Sequence, residues 1–123
     1  MSDHKALLRL SWPPKPLRPN SKPHWGAKSR AVAKYKEEAW AKALEQGVKR
    51  IETDRPRLKF TFHPQKNGRL PDIHNMPATQ KATIDGIAAA MGCDDAGFQC
   101  VWPDKFGHRV DGGCVLIEIV GAE

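Results

Sequence analysis

A chain of 123 residues has room for one hydrophobic core and one domain, spanning 1–123, and too little for two. It contains no run of about 18 apolar residues, and the polar start from Met1 to Lys5 lacks the apolar stretch of a secretory leader, so a cytoplasmic protein with no membrane partner is expected. The formal charge of +6 is unevenly spread: residues 1–71 hold 17 Lys and Arg against 6 Asp and Glu, a balance of +11, and residues 72–123 hold 3 against 8, or −5. A basic half suits a polyanionic partner such as DNA, and an acidic half can gather divalent metal.

In chain order, Leu8, Leu10 and Trp12 alternate with Arg9 and Ser11, which predicts a strand over 5–12 that ends at Pro13-Pro14. Five prolines between Pro13 and Pro23 predict an extended loop, made basic by Lys15, Arg18 and Lys22. From Ala27 to Gln46 the residues Val32, Tyr35, Ala39, Trp40, Ala43 and Leu44 fall at helical spacing, and Gly47 stops the helix. Leu58, Phe60 and Phe62 alternate in a second strand over 57–63, followed by a loop that carries Lys66 and Arg69.

Asn75 reads as an N-cap, and Ile84, Ile87, Ala88 and Met91 form the stripe of a second helix over 76–91. Phe98, Cys100 and Trp102 alternate, and Cys114 to Val120 is β-rich after the turn residues Asp111-Gly112-Gly113. These two segments are expected to close the chain as an antiparallel pair. The predicted order is β-α-β-α-β-β: an α+β domain with a small mixed sheet covered by two helices.

Chemistry concentrates around the second helix. Asp72 and His74 lie just before it and project to the same side if that segment is extended, while Asp94 and Asp95 lie just after it. A helix of about 15 residues spans roughly 22 Å, so the two groups meet only if the flanking segments fold back over the sheet. Cys93, Cys100 and Cys114 contain no CxxC pair, and with His24, His63 and His108 they match no zinc spacing, so reduced thiols are expected.

These residues carry a resemblance that runs over nearly the whole chain. Leu10-Ser11-Trp12-Pro13-Pro14, the basic helix, Asp72-Ile73-His74-Asn75, Lys81, Asp85, Asp94-Asp95-Ala96 and the closing Gly112-Gly113 with a terminal strand are similar to the pattern of the RusA-like family of Holliday-junction resolvases. The resemblance implies a homodimer that binds branched DNA and nicks four-way junctions symmetrically with Mg2+ or Mn2+, leaving a 5′ phosphate. Carried across, Asp72 and Asp95 would be metal ligands with Asp94 beside them, and Lys81 would offset charge on the scissile phosphate.

Two departures stand out: His74 occupies the place of the pattern's second Asp, and Pro77-Ala78-Thr79 is inserted before the lysine. If His74 ligates, completing a catalytic set of Asp72, His74, Asp95 and Lys81, manganese should outperform magnesium, which wants hard oxygen donors. If it does not, the chain reads as a branched-DNA-binding protein without cleavage. A structural role with no nucleic acid would require the basic half to be incidental.

Phosphate contacts are expected from Lys15, Arg18 and Lys22, from Lys28, Lys34 and Lys36 on the first helix, and from Lys66 and Arg69 beside the acids. Trp25 is a candidate for stacking on a base, for the core or for a dimer contact.

Overall fold

Both helices pack on one face of the sheet, and the order of the strands explains why. The computed structural model describes residues 5–18, 25–51, 53 and 55–121. Among them are strands β1 (Ala6–Ser11), β2 (Pro56–His63), β3 (Gln99–Val101) and β4 (Cys114–Gly121), and helices α1 (Trp25–Glu45) and α2 (Lys81–Met91), in the chain order β1-α1-β2-α2-β3-β4. The sheet order is β1-β4-β2-β3, with β4 antiparallel to both its neighbours and β3 parallel to β2. β1, β2 and β3 therefore run in the same direction. The two helical crossovers step the same way across the sheet, and a common hand of crossover puts both helices on the same side.

This makes an α+β domain with a mixed four-stranded sheet, as expected from the sequence, but the last two strands do not pair with each other. Cys114–Gly121 enters the slot that the first crossover leaves between β1 and β2, where Val115, Ile117 and Ile119 are buried. β3 has three residues and lies at the edge on β2. Residues 102–113 connect them, far longer than the loop of a tight hairpin.

The core follows the period-2 pattern. Ala6, Leu8 and Leu10 of β1 and Leu58, Phe60 and Phe62 of β2 point inward with the buried residues of β4. Trp102 stacks on Phe60 with ring centroids 4.3 Å apart. On α1 the buried residues are Tyr35, Ala39 and Ala43, whereas Trp40 and Leu44, read as part of the same stripe, are partly exposed. Small residues bring the helices close: a Cβ on Gly86 would lie 2.5 Å from the Lys36 carbonyl oxygen and 3.0 Å from the Ala39 Cβ.

Helix α2 begins at Lys81, later than Asn75 and Pro77 suggest. Two 3₁₀ turns precede it, Ile73–Asn75 and Pro77–Gln80, and the Asp72 side chain caps the first by accepting from the His74 amide at 2.9 Å. The Thr79 hydroxyl donates to the Met76 carbonyl at 2.6 Å. Gln80, fully buried, donates from Nε2 to Thr79 Oγ1 at 3.0 Å and to the Tyr35 hydroxyl at 3.4 Å, and that hydroxyl donates to the Ser11 carbonyl at 2.8 Å. One phenol thus joins the end of β1, the middle of α1 and the approach to α2. Among the described residues no helix is long and apolar enough to cross a membrane.

Two stability measurements follow. Gly86→Ala gains about 1 kcal/mol of helix propensity, but its methyl meets backbone that yields only if the helices separate; a net loss of about 2 kcal/mol is expected by urea unfolding. Burial, above all, pushes the Tyr35 phenol well above its ordinary value of 10.0. The folded state keeps a proton that the unfolded chain releases, so this contribution is intact below about pH 10 and declines as pH rises beyond it. Tyr35→Phe should cost about 1 kcal/mol at neutral pH and flatten the alkaline decline, read as urea midpoints across the titration.

Candidate active site

The local chemistry of α2 returns the chain toward its own start. Gly92 adopts φ 74°, a left-handed conformation that glycine takes without strain. Its amide donates to the Ala88 carbonyl at 2.9 Å, and the Cys93 amide donates to the same carbonyl at 3.1 Å, closing the helix in a Schellman-type reversal. The Asp94 side chain then accepts from the Ala96 amide at 3.1 Å and caps a 3₁₀ turn over Asp95–Gly97.

The consequence is a meeting across the whole length of α2, about 16 Å at 1.5 Å per residue. Lys81 Nζ, at the start of the helix, lies 3.1 Å from Asp85 Oδ1 and 3.6 Å from Asp95 Oδ2. Two carboxylates from opposite sides of the Gly92 reversal thus converge on one cation. The hydrogen bond with Asp85, then the charges of Asp85 and Asp95, hold the Lys81 amine above its usual value, so it is a fixed positive charge at neutral pH. Lys81 is largely exposed, and exposed ion pairs add little to stability.

The other predicted residues are placed differently. Asp72 and His74 are both exposed; Asp72 is extended and caps the 3₁₀ turn that carries His74, so the segment is not extended through His74, the condition under which the two side chains would project to the same side. Asp94 is engaged in capping. Among the described residues no three of His, Cys, Asp and Glu are grouped so as to hold a metal ion. Burial pushes the thiols of Cys93 and Cys100 up, with the charge of Asp95 adding to both, so neither is a reactive thiolate at neutral pH.

Of the cations expected on the DNA, Lys15, Arg18, Lys28, Lys34, Lys36, Lys66 and Arg69 are all exposed, and Lys22 lies outside the described residues. Lys66 sits 3.8 Å from Asp111. Trp25 is 82% exposed, so it has no place in the core of the subunit.

Three residues of interest escaped the sequence reading as site residues. Asp85 belongs to the resemblance and stands four residues after Lys81, a spacing that puts both on one helix face. Trp12 and Arg109 line a groove with Arg18 and Arg69, formed by segments too far apart in the chain for any local pattern to reveal.

No family model matches the chain. An uncharacterized protein of Xylella fastidiosa (strain Temecula1 / ATCC 700964) is 39% identical over 119 residues, which cover 93% of this chain and 75% of that protein. With identity at that level across nearly its full length, the chain belongs to the same family as this Xylella fastidiosa protein.

Proposed function

We propose that the protein is a metal-dependent, structure-selective DNA endonuclease of the RusA-like type, which as a homodimer resolves four-way junctions or other branched DNA by symmetric nicking. The observation that carries this reading is the convergence of Asp85 and Asp95 on Lys81. Two hard oxygen donors around one cation position fit Mg2+ or Mn2+, because magnesium commonly binds one or two carboxylates and completes its shell with water and substrate phosphate. A cage of three protein ligands is not required.

Asp85 and Asp95 would hold the ion, and the resemblance adds Asp72 from the turn before α2. When bound, such an ion polarises a phosphate and activates water. Lys81, kept protonated by its two carboxylate neighbours, offers a positive charge to the scissile phosphate and cannot serve as a base near neutrality. The exposed cations of α1 and of the loop carrying Lys66 and Arg69 would neutralise phosphates and set the duplex in register without reading its sequence. Two-fold symmetry of the protein would match the two equivalent strands of a junction.

A second reading, a branched-DNA-binding protein without cleavage, is favoured by the Lys81 ammonium lying where the carboxylates converge and by His74 in place of an acid. It differs in one respect: the bound junction would stay uncut whichever metal is supplied.

Incubated with a synthetic four-way junction and Mn2+ or Mg2+, the protein should cut paired strands at symmetric positions, and Asp95→Asn should lower the rate at least 100-fold while a gel shift in chelator stays unchanged. Intact strands from a folded, junction-binding protein would leave the second reading in place. Lys81→Met removes the ammonium that screens the two carboxylates from each other. Mn2+ should then raise the melting temperature of this variant more than that of the parent, and equal shifts would count against a metal position between Asp85 and Asp95.

A further inference from the structure

Beside the approach to α2 lies a groove that shares Arg69 with the proposed phosphate-contacting surface but whose aromatic and apolar walls that reading leaves without a role. Its lining includes Trp12, at the end of β1, Arg18 after the first 3₁₀ turn, Arg69, Leu70 and Pro71 from the loop that follows β2, and Arg109. Its volume is about 170 Å³, close to the size of a pocket that holds one benzene ring.

Three features give the groove its chemistry. It holds three guanidinium groups and no carboxylate, and among the described residues neither Arg18 nor Arg69 is paired with an acid. Trp12 supplies an aromatic surface; Phe106, outside the groove lining, lies tilted to it at 6.5 Å between ring centroids, and a Cβ added at Gly113 would come within 3.1 Å of the Trp12 Cβ. Leu70, 42% exposed, adds an apolar wall.

The groove is also preformed. Arg109 Nη1 donates to the carbonyls of Gln65 at 3.0 Å, Gly68 at 3.1 Å and Lys66 at 3.5 Å, which staples the loop after β2 to the segment before β4. The Val110 amide donates to the Pro64 carbonyl at 2.8 Å, and Gln65 bridges Val110. An aromatic surface, an arginine rim and a wall held by hydrogen bonds together suit a nucleotide whose base has left its stack. Pro71 is followed directly by Asp72, the residue that the resemblance makes a metal ligand.

We infer that this groove receives one unpaired nucleotide of a DNA strand, its base against Trp12 and its flanking phosphates on Arg18 and Arg69. The inference rests on the nucleic-acid reading above and adds the feature by which a branch or a flap is told from an intact duplex. A paired base cannot enter; a base at a branch point is unstacked at small cost.

The test uses the full chain in chelator, so that no cleavage contributes, with oligonucleotides carrying 2-aminopurine at an unpaired position beside a branch. Binding should quench the 2-aminopurine. Trp12→Leu should abolish the quench and lower affinity for the branched substrate about tenfold, with affinity for a blunt duplex unchanged. Arg18→Gln and Arg69→Gln should each reduce the salt dependence of binding by about one unit of slope. Because Trp12 is packed against Gly113 and Phe106, Leu70→Glu serves as a second variant that spoils the groove from its exposed wall and should give the same loss.

Folded variants that still quench and still prefer the branch would overturn the inference. So would free deoxynucleoside monophosphate competing as well as the oligonucleotide, since that would make the groove a mononucleotide site. Junction nicking without any 2-aminopurine response would leave the endonuclease standing and remove the groove alone; failure to bind any DNA at low salt would remove both.

Discussion

The buried hydroxyl of Tyr35 is the contact on which the placement of everything else depends. A phenol taken out of water must find partners, and this one finds the Ser11 carbonyl on one side and the Gln80 amide on the other. β1, α1 and the segment leading into α2 are thereby held at one point. Glu38, one turn further along α1, reinforces the join by accepting from the Ser11 amide and hydroxyl, each at 2.7 Å. The end of β1 is where Trp12 begins the groove, and Gln80 is where α2 begins the acidic site. Both candidate regions are therefore positioned relative to the same atom.

Around that point the packing is economical. Alanines and Gly86 let the two helices approach almost backbone to backbone, while aromatic residues of β2 and Trp102 fill the other end of the core. The result is a packed platform in which the side chains of the candidate regions are exposed while the backbone that carries them is anchored by hydrogen bonds. This is the arrangement expected when chemistry is carried on turns and helix ends supported by a sheet.

Much of this was legible in the residues themselves. Alternation in Leu8-Leu10 and Leu58-Phe60-Phe62 located β1 and β2, and helical spacing located α1, because burial on one face imposes those periods. Partner choice leaves no such mark: β4 is as apolar as a hairpin strand would be, and only the vacancy between two parallel strands explains its central position. The start of α2 was misplaced because Asn75 and Pro77 imitate the opening of an α-helix while building 3₁₀ turns. Gly92 was readable as the end of a helix but not as the reversal that carries Asp95 back to Lys81. Trp12, Arg18, Arg69 and Arg109 come from separate stretches of chain, and a groove shared among them has no linear signature.

The Gly92 reversal has a consequence for descent. Lys81, Asp85 and Asp95 all hang on one short helix and the bend that closes it, so the charged trio is a self-contained cassette of fifteen positions. Strands and loops elsewhere can drift without disturbing its internal spacing. An inserted residue between Lys81 and Asp85 would be another matter: it would turn Asp85 by about 100° relative to Lys81 and break the trio at a stroke. The spacing of Lys81 and Asp85 is thus set within the helix itself, and the place of Asp95 by the bend that follows it.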